Sequence, residues 1–181
     1  VLLSEGLIMV RKNYVVLLFV LCVNACLIAP TNFIVPGYAA EPQTFIGTWV
    51  ANGSKESLAF GENRNVALFR LAGHVNLKND VGKEHDYWAE CIGLADSEVG
   101  SNARCVWHGL KGQEIYLTLQ GEKLTEGSGV TGKIVGGTGA ASGITGSIQF
   151  KWSSMSAHSV NDVTAIGGYA KELKGTYQLP E

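Results

Sequence analysis

The sequence predicts an all-β domain, an antiparallel up-and-down barrel of about eight strands, preceded by an N-terminal signal helix. Three observations predict it. Apolar residues alternate with period two through most of the chain after residue 40, and no long 3.6-residue periodicity interrupts them. Glycine is dense: 21 of the 141 residues from Glu41 onward (23 in the chain, less Gly6 and Gly37), about twice the usual ~7%. Turn signals recur between the alternating runs, while proline after residue 40 is confined to Pro42 and Pro180. Short antiparallel strands joined by tight turns lose their exposed edges by closing on themselves. A two-sheet sandwich is the alternative, but glycines within strands, at Gly132, Gly146 and Gly167-Gly168, suit the curvature of a barrel wall.

The first 40 residues are read apart from the fold. Met9 is followed by Arg11 and Lys12 and then by an apolar run from Tyr14 to Val23 that continues through Ala25 to Ala29. Asn24, Pro30 and Asn32 interrupt it, so it falls short of the ~20 apolar residues of a membrane-spanning helix. A basic start, an apolar stretch and the small residues Gly37 and Ala39 ahead of Glu41 make an export signal cut near residue 40, with Val1 to Ile8 as an over-extended start. Cys26, after Val23-Asn24-Ala25, leaves a lipoprotein signal as a competing reading, and a retained anchor as another. The expected location is exported, periplasmic or secreted, with membrane contact only through the signal.

Along the domain, residues 41–181, the clearest strands are Ala67 to Leu77, Gln113 to Gln120 and Ile144 to Trp152. In the first, Phe69, Leu71, Val75 and Leu77 share one face and Arg70, His74 and Asn76 the other; in the second, Ile115, Leu117 and Leu119 oppose Tyr116, Thr118 and Gln120; in the third, Ile148, Phe150 and Trp152 oppose Ser147, Gln149 and Lys151. Further strands are expected at Phe45 to Ala51, Tyr87 to Leu94, Ala103 to His108, Gly129 to Val135 and Thr164 to Tyr177, the last bent at Lys174-Gly175. Turns are expected at Asn52-Gly53-Ser54, Asn79 to Gly82, Lys111-Gly112 and Gly136 to Gly139.

Charge excludes one class of partner. The domain holds 12 Lys and Arg (14 less Arg11 and Lys12) against 15 Asp and Glu (16 less Glu5), with no basic stripe, so nothing attracts nucleic acid. Cys22 and Cys26 fall in the signal, leaving Cys91 and Cys105 as a pair that an oxidising compartment would join. Their loop of about 15 residues gives roughly 3 kcal/mol in the chain-entropy account.

Gly47-Thr48-Trp49 opens the first expected strand, and Gly-x-Trp there resembles the start of lipocalins and related small barrels, where the indole plugs one end. The Arg that lipocalins use late in the chain is missing after Arg104. Gly132 to Gly146, which contains Gly136-Gly137-Thr138-Gly139 and Gly143-Ile144-Thr145-Gly146, resembles the turn and strand entry of bacterial exported proteins similar to the allene oxide cyclase barrel; Arg104-Cys105-Val106-Trp107 and Gly112 fit the same group. The resemblance covers about Ala89 to Trp152 and implies an eight-stranded barrel with an inner cavity. No catalytic residue of the plant cyclase maps onto a position here.

Other chemistry finds little support. Gly127 to Lys133 has the GxxxxGK spacing, but Ile134 stands where Ser or Thr would hold magnesium and a strand follows. Gly137, Gly139 and Gly143 lack the helix that a dinucleotide site needs. His74, His85, His108 and His158, with Glu84 and Asp86, form no metal-ligand spacing, and no serine sits in a nucleophile elbow. No metal, cofactor or catalytic residue is therefore assigned. The candidate ligand contacts are Trp49, Arg70, Trp88, Glu90, Arg104, Trp107 and Tyr116, directional groups on a mostly apolar wall. The reading is a non-enzymatic barrel that binds a small apolar ligand or a protein partner. Alternatives are a cyclase or isomerase acting on an oxidised lipid, which needs a buried carboxylate such as Glu90 or Glu114, and a periplasmic protease inhibitor.

Overall fold

The computed structural model describes residues 41–123, 128–160 and 163–180; the segment expected to be an export signal lies outside the described residues. Eight antiparallel strands follow one another in chain order: β1 (Gln43–Ala59), β2 (Asn65–Asn79), β3 (Glu84–Asp96), β4 (Gly100–Gly109), β5 (Glu114–Gly121), β6 (Gly129–Gly137), β7 (Thr145–Val160) and β8 (Val163–Gln178). Each pairs with the next, and β8 pairs back onto β1, closing the barrel.

Alternation decides which side chains face the lumen. On β2 the inward set is Ala67, Phe69, Leu71, Gly73, Val75 and Leu77; on β5 it is Ile115, Leu117 and Leu119. Cys91 and Cys105 are direct register partners on β3 and β4, 4.1 Å apart at Cα, and form a disulfide buried on the inner face.

Two expectations for the backbone are corrected. Asn52-Gly53-Ser54 is not a turn: β1 runs straight through it, paired with Ala72, Leu71 and Arg70 of β2 and with Gly167, Ile166 and Ala165 of β8. Gly53 is there for proximity, since a Cβ on it would overlap the Arg70 carbonyl oxygen. The irregularity of β8 lies at Glu172 (φ 54°), not at Lys174-Gly175, and the register against β1 slips between Gly47 and Trp49.

The wall is uneven in height. β1, β2, β7 and β8 have 15 to 17 residues, whereas β5 and β6 have 8 and 9. β6 begins at Gly129, opposite Lys151, while β7 continues to Val160, paired among the described residues only with β8. The end carrying the β2–β3 and β4–β5 turns is sealed by the glycine-rich segment between β6 and β7. There a single 3₁₀ turn, Gly139–Ala141, tucks Ala141 and Ile144 into the core, and Thr138 accepts the Glu114 N–H at 3.0 Å.

Candidate ligand site

The lumen divides into two halves. Toward the sealed end the inward positions are large: Phe45, Leu77, Tyr87, Trp107, Ile115 and Leu173 are all buried in one hydrophobic cluster, with Tyr87 and Trp107 ring centroids 5.9 Å apart. Burial raises the Tyr87 phenol above its ordinary pKa. Toward the opposite end the inward positions shrink. Ala67, Ala95, Ser101 and Gly121 are successive register partners across β2, β3, β4 and β5, so an entire arc of wall carries almost no side-chain volume.

That deficit leaves a cavity of ≈ 560 Å³. Trp49, Leu71, Cys91, Leu119 and Phe150 line it, Phe69, Trp152 and Ile166 flank them, and Lys55, Ser101, Glu122, Ser128 and Ser154 supply the polar atoms. Trp49 packs edge-on to Phe150 (5.6 Å) and tilted on Trp152 (5.2 Å), a three-ring aromatic corner. The buried Nε1–H of Trp49 has no hydrogen-bond acceptor among the described residues. A second hollow, ≈ 780 Å³, lies over the low part of the wall and shares Gly121, Glu122, Val130 and Phe150 with the first.

The rim is braced by an ion pair. Arg64, in the β1–β2 loop, donates Nε and Nη2 to Asp96 at 3.1 and 2.6 Å, and Asp96 also accepts the N–H groups of Glu98 and Val99. The Arg64 guanidinium and these backbone donors hold the Asp96 carboxyl down at about 2. Arg64 also lies over the Phe60 ring, 5.2 Å from its centroid.

No family model, curated protein or solved structure matches this chain.

The seven candidate contacts separate into three groups. Trp49 lies midway along the lumen, where it walls the cavity and does not plug an end. Trp107 is 2% exposed within the filled half. Arg70, Trp88, Glu90, Arg104 and Tyr116 point away from the lumen, on the outer surface of β2 to β5. The even-numbered face is outside on these strands because the odd-numbered face carries the core. Trp88 stands in register between His74 and His108 there. His108 approaches Glu90 at 3.7 Å and Glu114 at 3.2 Å, and the Tyr116 hydroxyl donates to Glu114 at 2.7 Å, which raises the phenol pKa. Glu90 and Glu114 therefore place no carboxylate inside the barrel. Among the described residues no three His, Cys, Asp or Glu side chains converge as metal ligands.

Sequence reasoning missed Lys55, Phe69's neighbour across the β1–β2 ladder, because it ended the first strand at Ala51. The signal was present: Trp49, Ala51, Gly53 and Lys55 keep one parity. It also missed the run of small inward residues at the strand ends, legible as Ala95, Ser101, Ala103 and Gly121 at alternate positions.

Proposed function

We propose that this protein is an exported, non-enzymatic barrel that binds a small apolar molecule in the open half of its lumen. The observation that carries the reading is the ≈ 560 Å³ cavity walled by Trp49, Leu71, Phe150 and Trp152. Ligand sites fall at about 300–1,000 Å³, are mostly apolar and hold a few convergent polar groups. An inner disulfide is compatible with an oxidising, exported setting. Kinship with the exported barrels similar to the allene oxide cyclase barrel, suggested by Gly132 to Gly146, belongs to the same proposal. The cyclase alternative loses the internal carboxylate it required from Glu90 or Glu114.

The test is displacement of a neutral environment-sensitive dye from the purified protein by a panel of apolar compounds. Quenching of Trp49 and Trp152 emission provides a second readout. Binding that is lost on Ala103→Phe, with the circular dichroism spectrum unchanged, supports the reading. A panel in which nothing binds the wild type removes it.

A protein partner is the second reading. Leu68, Trp88, Ile92 and Leu94 are each 44–51% exposed on the outer surface of β2 and β3, an apolar patch of the kind that marks contact surfaces. A partner captured by the wild type and equally by Trp88→Glu would contradict it.

A further inference from the structure

We infer that the ligand of the open half is an amphiphile with a single anionic head, its apolar body directed toward Trp49 and its head held at Lys55. This rests on the cavity being a ligand site and names the chemical class it takes.

Lys55 belongs to the inner face of β1, on the same parity as Trp49, Ala51 and Gly53, and its register partners are Phe69 on β2 and Thr164 on β8. It is the only cationic residue lining the cavity among the described residues, and it makes no hydrogen bond or ion pair there. Arg64, in the β1–β2 loop at this end, is committed to Asp96 and the Phe60 ring. Lys55 lies six positions beyond Trp49 on β1, about 20 Å along the strand at ~3.3 Å per residue. The wall between them is aromatic and aliphatic, so a chain lying along it buries its body while its head reaches the rim. A lysine stem lies along apolar surface and leaves the ammonium at the wet end. An anion placed there gains a charge-assisted hydrogen bond.

The opposing charge is Glu122, which follows β5, four strands round an eight-stranded wall from β1. Its Oε2 accepts the Gly129 N–H at 3.3 Å, which draws the carboxylate toward its own β5–β6 connection. Lys55 has no such tie among the described residues, so it is the charged group of the cavity left free to meet a head group of opposite sign.

The experiment compares three ligands with the same twelve-carbon tail, dodecanoate, dodecanol and dodecyltrimethylammonium, each displacing a neutral naphthylamine dye below its micellar concentration. The wild type is expected to bind dodecanoate roughly ten- to a hundredfold more tightly than dodecanol, the gain of one hydrogen bond to a charged group. Lys55→Met should erase that preference while leaving dodecanol unchanged, Lys55→Arg should keep it, and Glu122→Gln should strengthen it. Equal affinity for dodecanoate and dodecanol, a preference for the cationic amphiphile, or a preference that survives Lys55→Met overturns the anionic head and leaves the cavity reading standing. Failure of all three to displace a dye that Ala103→Phe does exclude overturns the inference on chain shape. Failure of the dye itself to bind removes the cavity reading and this inference with it.

Discussion

The sealed and open halves of the lumen share one backbone architecture and differ in what the inward positions carry. The sealed half receives Phe45, Leu77, Tyr87, Trp107, Ile115 and Leu173 and is filled; the open half receives Ala67, Ala95, Ser101, Ala103 and Gly121 and is not. An eight-stranded barrel is just wide enough for its side chains to fill it, or to hold one small ligand. This chain does both, at different heights, and the choice is made by side-chain volume and not by strand number. The structure thereby separates a part that stabilises from a part that has room for a guest.

The sharpest way to break that comparison is truncation of a large side chain in each half. Trp107→Ala should cost about 3–5 kcal/mol, the usual range for emptying a packed aromatic site. Trp152→Ala, whose ring already borders empty space, should cost less than half as much. Urea unfolding of both variants checks this, and equal losses would mean the halves are energetically alike.

Next in size is the disulfide, which stands where the halves meet: Cys91 lines the cavity, and Cys105 belongs to the same buried cluster. Reduction, or replacement of both cysteines by alanine, should lower stability by about 2–4 kcal/mol. A thermal melt with and without reductant reads it.

Enlargement should show the same asymmetry as truncation, with the sealed half again the costlier. Ala103→Phe fills vacant volume and is expected to change stability by less than about 1 kcal/mol, whereas Ala89→Phe, at a site with no exposure, forces side chains apart at about 1–3 kcal/mol.

The smallest effect concerns the rim alone. Asp96 is depressed from 3.8 to about 2, so its contribution is complete above its unfolded value and disappears as pH falls through the folded one. The stability difference between wild type and Asp96→Asn should therefore be constant above about pH 4 and close between there and about pH 2. A difference that persists at the lowest pH would show that the bracing is not ionic.

Much of the fold was legible because a barrel wall obeys a two-residue rule over long stretches. Phe69, Leu71, Val75 and Leu77, or Ile148, Phe150 and Trp152, declare the inner face without help from distant residues. The pairing of Cys91 with Cys105 was legible because they are the only two cysteines after residue 40. β1 was cut short because Asn-Gly-Ser is a strong local turn signal, and only the neighbouring β2 and β8 backbones hold it extended. The site was less legible than the fold. Directional residues such as Arg70, Glu90 and Arg104 attract attention as ligand contacts, yet they occupy the outer parity. The cavity arises from what is missing, alanine, serine and glycine at inward positions of four neighbouring strands, and its shared height depends on the barrel's stagger. Stagger is a property of register, which period-two alternation leaves open.

The difference in length between β6 and β7 has a consequence for self-association. Beyond Trp152, whose N–H is taken by the Ser128 carbonyl, β7 has among the described residues a ladder neighbour on one flank only, so its far end is a sheet edge within an otherwise closed wall. Bare edges recruit strands from other molecules. Here the segment that could do so reads Ser153-Ser154-Met155-Ser156-Ala157-His158-Ser159, rich in hydroxyls and poor in the branched and aromatic residues that zip into fibrils. The chain thus leaves its wall incomplete at the place where its own composition discourages polymerisation.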